Sequence, residues 1–326
     1  MKLILNKALK IIAMPVFVFL LAYALAPDRF GLHFLSIVLS QTLIPTVMGF
    51  GMCLIMISGM FDISCGSAVI LGAIIGGGVG LQFGVIGLVV GCLGAGTLIG
   101  VITGTIYSLL RIPSLILTLG LALIYEIVAI KLDIGNGTYV AIPPEIAIVG
   151  KYPYSIIIAV IAAILFYFIY YKTKFSTNLR SVGSEELLAI TVGIKPKRIK
   201  FYVFIVAGIF FGITSLLKIC YAGTIGAVSG LESIPMIFQP MIGALVAMQL
   251  RSVYNLAVGI FISQLSVGLL FAGLIAMGLP DVMKIVMLGI FLLIVMGISG
   301  TRTSFVGLMR RIRAKKKQEH EAHDVQ

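Results

Sequence analysis

Two carboxylates stand inside apolar sequence, and they have the most chemistry to offer. Asp62 lies in the stretch Ser58-Gly59-Met60-Phe61-Asp62-Ile63-Ser64-Cys65-Gly66-Ser67, between two long apolar runs. Glu126 lies within the apolar run 115–131, toward its end. A charge at bilayer depth costs about 2.5–3.5 kcal/mol on insertion scales, so it is kept where it is paired or used. Gly59 and Gly66 permit a bend or an interrupted helix around Asp62, and Ser64 and Ser67 can satisfy freed backbone groups. Asp62 then sits at or just before a helix N-terminus, where the dipole favours an anion. Two roles fit it: capping the next helix, or taking part in a transport path. Glu126 allows a hydrated path, contact with substrate hydroxyls, or pairing with a neighbouring helix. The candidate path residues are therefore Asp62, Ser64, Ser67 and Glu126.

The remaining reactive side chains argue against catalysis. Cys53, Cys65, Cys92 and Cys220 form no C-x-x-C pair and read as buried reduced thiols. His320 and His323 near the C-terminus have no further ligand beside them, so no metal site is expected. The sequence contains no G-x-x-x-x-G-K-[ST], no H-E-x-x-H and no G-x-S-x-G. No cofactor and no enzymatic activity are expected.

The elements that must hold these residues are membrane spans. Hydrophobic residues make up 60% of the 326-residue chain and charged residues 11%, too few to cover a soluble surface. The 37 glycines suit close helix packing in a membrane. A span needs about 20 apolar residues. Ten candidate segments follow: 9–26, 35–58, 63–81, 84–109, 115–131, 155–171, 201–219, 237–250, 253–275 and 282–300. The segments 63–81 and 237–250 are the weak ones, and each reads as a broken or re-entrant helix. The first segment resembles a signal peptide, but Pro27 follows Ala24-Leu25-Ala26 at once, so it is read as uncleaved. Pro45 and Pro240 interrupt segments in the two halves, a weak sign of an internal repeat.

Ten crossings with both termini inside place 19 of the 24 lysines and arginines on the cytoplasmic side and five outside, among the latter Lys131, Lys151 and Lys218. The net charge of +12 is therefore read as topology and contact with membrane lipid rather than a nucleic-acid surface. The expected organisation is an all-α polytopic transmembrane domain over 1–301, with a cytoplasmic loop at 172–200, and a basic tail over 302–326. The outer loop 132–154 carries Pro143-Pro144, a break between short elements, with Asn136 and Thr138 exposed to a docking protein. In the inner loop, 184–192 reads as a short helix with Ser184 as N-cap and Gly193 as its end.

Three motifs in order resemble the permease subunits of bacterial ABC importers of the ribose, xylose and autoinducer-2 type. Gly59, Asp62, Ser64, Gly66 and Ser67 match that family's S/T-G-G-I-D-L-S-V-G-S at the same spacing. Leu117-Thr118-Leu119-Gly120 resembles its V/I-T-L-G. Gly183, Glu185, Ala189 and Gly193-Ile194 fall in register, or nearly so, with its inner-loop pattern. The resemblance covers roughly residues 35–300. The sequence departs from it at Met60 and Phe61, at Ser176 and Thr177, and around 247–254, where the family's glycine-rich turn is missing.

The resemblance implies a permease subunit of the bacterial inner membrane that moves a small polar solute, a sugar or sugar-like compound. Its implied partners are an ATP-binding subunit, an extracytoplasmic solute-binding protein and a second permease chain. The loop helix, with Gly183, Glu185, Glu186, Leu187, Ala189 and Gly193, is the expected ATPase-coupling element. Side chains in place of the glycine-rich turn favour a heterodimer slightly over a homodimer. The alternatives are an ion-coupled secondary transporter, with only Asp62 and Glu126 available to couple an ion, and a non-transporting membrane scaffold or sensor.

Overall fold

The computed structural model describes residues 32–110, 112–132, 139–249, 251 and 255–276, with isolated positions in 15–20 and 283–293. Most of the expected spans 9–26 and 282–300, the tail from 302 with its histidines, and Asn136 and Thr138 lie outside the described residues. Among the described residues, six helices are long and apolar enough to cross a membrane.

The chain enters through α1 (Leu32–Ile57), which tolerates Pro45 within it. The next two expected segments form one helical run, α2 (Cys65–Leu110), turned at Gly84 with φ 67° and ψ −151°. A positive φ there suits glycine, which has no Cβ to clash. The two arms fold back on each other: Gly76 meets Cys92 and Gly80 meets Leu88. Each arm is close to the length of about 20 residues that a crossing needs. Then come α3 (Ser114–Lys131), strand β1 (Tyr139–Ala141), the short α4 (Pro144–Ala147) after Pro143, and α5 (Tyr154–Lys172).

The inner loop is more ordered than its sequence suggests. It folds as α6 (Lys174–Ser184), capped by Thr173, and α7 (Glu186–Thr191). Ser184 is the last residue of α6 and not the N-cap of α7; that place belongs to Glu185, whose extended backbone separates the two helices. Gly193 ends the element as expected, with φ 82° and its N–H on the Ile190 carbonyl at 2.9 Å.

Helix α8 (Pro196–Ala222) is the central post. It starts inside the expected loop 172–200, so Lys197, Arg198 and Lys200 decorate its first turns. It stops at Gly223, left-handed at φ 73°, with its N–H on the Ile219 carbonyl. Strand β2 (Thr224–Gly226) pairs antiparallel with β1, Val140 opposite Ile225, so the ends of α3 and α8 share one side. An irregular segment, 227–234, leads into α9 (Pro235–Gln249), and α10 (Leu256–Ala276) follows. At 15 residues, α9 is about 22 Å long and short of a full crossing.

The largest interface joins α2 to α8. Glycines line it from both sides: Gly96 faces Gly212 and Gly100 faces Gly208, with backbone against backbone. Beyond the glycine seam, Phe50, Phe166 and Phe210 form a buried aromatic cluster, Phe50 stacking on Phe166 at 4.8 Å.

Candidate functional site

Two irregular segments, 58–64 and 227–234, penetrate the helices, and one face of α3 holds both. The first leaves α1 by a tight turn: Ser58 Oγ donates to the Ile55 carbonyl at 2.6 Å, and Gly59 takes φ 76°. The N–H groups of Ser58, Gly59 and Met60 still donate to carbonyls of the last turn of α1, and two N–H groups further on are accepted by side chains of α3. Phe61 N–H donates to Ser114 Oγ at 3.0 Å, and Ile63 N–H to Thr118 Oγ1 at 3.1 Å. The Thr118 of the second motif is thereby bonded into the first.

Asp62 is buried within this turn. Its Oδ1 accepts the Ser64 N–H at 2.7 Å and the Ser64 hydroxyl at 2.6 Å. Ser64 in turn stands at the entry to α2: its carbonyl accepts the Ala68 N–H at 2.8 Å and the Ser67 hydroxyl at 2.9 Å. Asp62, Ser64 and Ser67 thus form one chain of hydrogen bonds that starts the helix. The third motif joins them. A Cβ on Gly183 would overlap the Ile57 carbonyl oxygen, so α6 touches the end of α1 backbone to backbone.

Glu126 is fully buried and shares no hydrogen-bond partner with Asp62. Its Oε2 accepts the Leu231 N–H at 2.8 Å and its Oε1 the Ser233 N–H at 3.0 Å. Gly230 and Leu231 both have positive φ, 72° and 69°, and Leu231 is the one non-glycine residue of this kind among the described residues. The carboxylate therefore holds a strained bend and satisfies amides that would otherwise be orphaned away from water. The two irregular segments meet next to it: Gly66, in the first turn of α2, packs on the Ser233 carbonyl without room for a Cβ. Gly77, three turns further along α2, faces Val140 of β1. Segment 227–234 thus descends about 16 Å alongside α2 before α9 begins.

The coupling candidates separate by exposure. Ala189 is buried, whereas Leu187, Leu188, Ile190 and Val192 are all more than half exposed. Glu186 pairs with Lys200 at 2.7 Å, across from α7 to α8. Glu185 and Leu188, with Thr177, Arg180, Ser181 and Val192, line an open groove of about 600 Å³ between α6 and α7.

Lys218, expected at the outer side, lies within α8 four residues before its end, with Nζ 2.8 Å from Met236 Sδ in the first turn of α9. Among the described residues, no three His, Cys, Asp or Glu side chains group as metal ligands.

Spans interrupted at depth, their backbone groups satisfied by buried side chains, define a polytopic α-helical membrane protein built like a transporter. The chain belongs to the family of branched-chain amino acid transport system / permease components, which it matches over residues 34–296. It is similar to the ribose import permease protein RbsC of Escherichia coli strain K12, with 24% identity over 204 residues, 60% of this chain and 64% of that one. It is also similar to the fructose import permease protein FrcC of Rhizobium meliloti, 21% identical over 285 residues, 82% of this chain and 78% of that one. The chain thus spans a little under two thirds of the length of the ribose permeases it matches. No solved structure matches it.

Proposed function

We propose that this chain is the membrane-spanning permease subunit of an ATP-driven importer of a small polar solute of the sugar class. The observation that carries the reading is the convergence of three motifs on one turn. Thr118 bonds to Ile63, Asp62 to Ser64, and Gly183 packs on Ile57. A partner that grips the exposed apolar side of α7 can push α6 against the end of α1. The push reaches the turn that starts α2 and lies beside segment 227–234. ATP is hydrolysed on the partner, and no bond of the solute is made or broken.

The topology that fits is ten crossings of the inner membrane with both termini cytoplasmic. Helix α1, both arms of α2, α3, α5, α8, the segment 227–249 and α10 would supply eight of them; the expected segments 9–26 and 282–300 lie mostly outside the described residues. The β1–β2 pair supports a common side for the ends of α3 and α8, and the α6–α1 contact supports a common side for the loop 172–195 and the 58–64 turn. An ion-coupled transporter has less support, because both oxygens of Glu126 are engaged by backbone amides.

The test is purification of a tagged copy expressed with its native operon, followed by intact-mass analysis and solute-stimulated ATP hydrolysis. The expected complex contains two ATP-binding subunits and a second, different permease chain. Two copies of this chain would make the assembly a homodimer. No ATP-binding subunit at all would sink the permease reading.

A further inference from the structure

Lys218 has no structural duty that needs its charge. It occupies α8 four residues before the helix ends at Ala222. Its neighbour Ile219 packs on Gly77, which lies seven residues, about 10 Å, below the Gly84 turn. Side chains on a helix lean toward its N-terminus, so Lys218 leans inward, away from the nearer surface. Its ammonium meets Met236 Sδ at 2.8 Å. A thioether is a weak acceptor and brings no countercharge. Among the described residues Lys218 makes no ion pair; the carboxylate of Glu126 is turned to Leu231 and Ser233, and that of Glu186 to Lys200. The first turn of α9 adds positive dipole rather than negative, so it leaves the charge unbalanced.

Other polar side chains stand one turn away on the elements around it. On α8, one turn on, Tyr221 accepts a hydrogen bond from Gln41 of α1 at 3.0 Å. On α9, one turn beyond Met236, Gln239 is also part-exposed. Lys218 itself is only part-buried. The cation therefore stands where α1, α8 and the broken span approach one another, beside the point where segment 227–234 becomes helix.

We propose that Lys218 is the anion-recognising group of the translocation path, and that the solute is a sugar derivative carrying a carboxylate or phosphate. A neutral sugar hydroxyl can accept a hydrogen bond from the ammonium but leaves its charge uncompensated. An anionic oxygen does both, and such charge-assisted bonds are roughly twice as strong as neutral ones. Between solutes of equal size, the unpaired cation then selects the anion.

The inference rests on the permease reading, and one experiment separates the two. The complex with its ATP-binding and solute-binding partners is reconstituted in proteoliposomes. Uptake is measured for D-ribose, D-fructose, the matching aldonic acids and the matching sugar phosphates. The wild type is expected to take up an acid or a phosphate at least tenfold faster than the neutral sugars. Which arm responds identifies the anion. Lys218→Met should lose that preference at least tenfold while still assembling with its partners, and Lys218→Arg should keep it. Uptake of neutral sugars alone, uptake of no anion in the panel, or equal selectivity in wild type and Lys218→Met would each overturn the proposal. A chain that recruits no ATP-binding subunit would instead overturn the permease reading beneath it.

Discussion

Gly208 lies against Gly100 with no side chain between them: a Cβ on Gly208 would come 3.0 Å from the Gly100 Cα and closer still to the Gly96 carbonyl oxygen. This seam lets α8 and the second arm of α2 touch along their backbones. In a bilayer, where lipid competes for apolar contact, such close approach is a main source of helix association.

Gly208→Leu is expected to separate the two helices, because neither backbone can move aside without losing the Gly96–Gly212 contact. Overpacking of this kind costs about 1–3 kcal/mol or more. Gly94→Leu, on the same arm with open space around it, is the control. Size-exclusion profiles in detergent should show a monodisperse peak for Gly94→Leu and an aggregated or lost one for Gly208→Leu. Equal profiles would deny the seam its role.

Glu126→Leu is expected to release segment 227–234. It leaves the Leu231 and Ser233 amides without acceptors, at about 1–3 kcal/mol each. Glu126→Gln keeps one acceptor oxygen and should lie between wild type and Glu126→Leu. Limited proteolysis reads the segment directly, with cutting between 227 and 234 rising from wild type to Gln to Leu. Unchanged cutting in Glu126→Leu would show that the bend holds without the carboxylate.

The sequence revealed the spans because apolar length is a local property. The Asp62 motif was legible for a similar reason: Asp62, Ser64 and Ser67 bond to one another within six residues. The partners of Glu126 were not legible. They are backbone amides more than 100 residues away, and an amide leaves no mark in the sequence. The reversal near Gly84 was legible, since the expected segments 63–81 and 84–109 part there, but which of 37 glycines would take the positive φ was not. The contact of Lys218 with Met236 was not legible, because a lysine near the end of an apolar run ordinarily marks only a boundary. The cap of α7 was misplaced because Ser184 is a better capping residue than Glu185, yet α6 extends through it and leaves Glu185 the extended conformation.

Asp62→Asn is expected to insert and fold, because an amide oxygen can still accept the Ser64 N–H. It gives up the charge-assisted character of the 2.6 Å bond to the Ser64 hydroxyl, and uptake should fall. Asp62→Leu leaves Ser64 N–H and hydroxyl unpaired in a buried turn and should also lower the yield of folded protein. Thr118→Val, which removes the acceptor for Ile63 N–H, should resemble Asp62→Asn. Normal uptake and yield in all three would reduce the turn to a passive connector.

Coupling should depend on the apolar side chains of α7 rather than on its charge. The Glu186–Lys200 pair is half-exposed on the Glu186 side, and exposed pairs contribute about 0–1 kcal/mol, so Glu186→Gln alone is expected to change little. Leu187 and Val192 are each 73% exposed, too apolar for solvent and well placed for a cleft in a partner. Leu187→Ser combined with Val192→Ser removes that surface without touching the buried Ala189 or the Gly183 contact. The variant should insert normally, bind the ATP-binding subunit at least tenfold more weakly, and lose solute-stimulated hydrolysis. Gly183→Ala should do the opposite. Its Cβ would meet the Ile57 carbonyl, so the ATP-binding subunit stays bound while the stroke toward the 58–64 turn is disturbed. Hydrolysis should then continue with little uptake. If Gly183→Ala instead lost the ATP-binding subunit, or the double serine variant kept stimulated hydrolysis, docking on α7 and transmission through Gly183 would have to be reassigned.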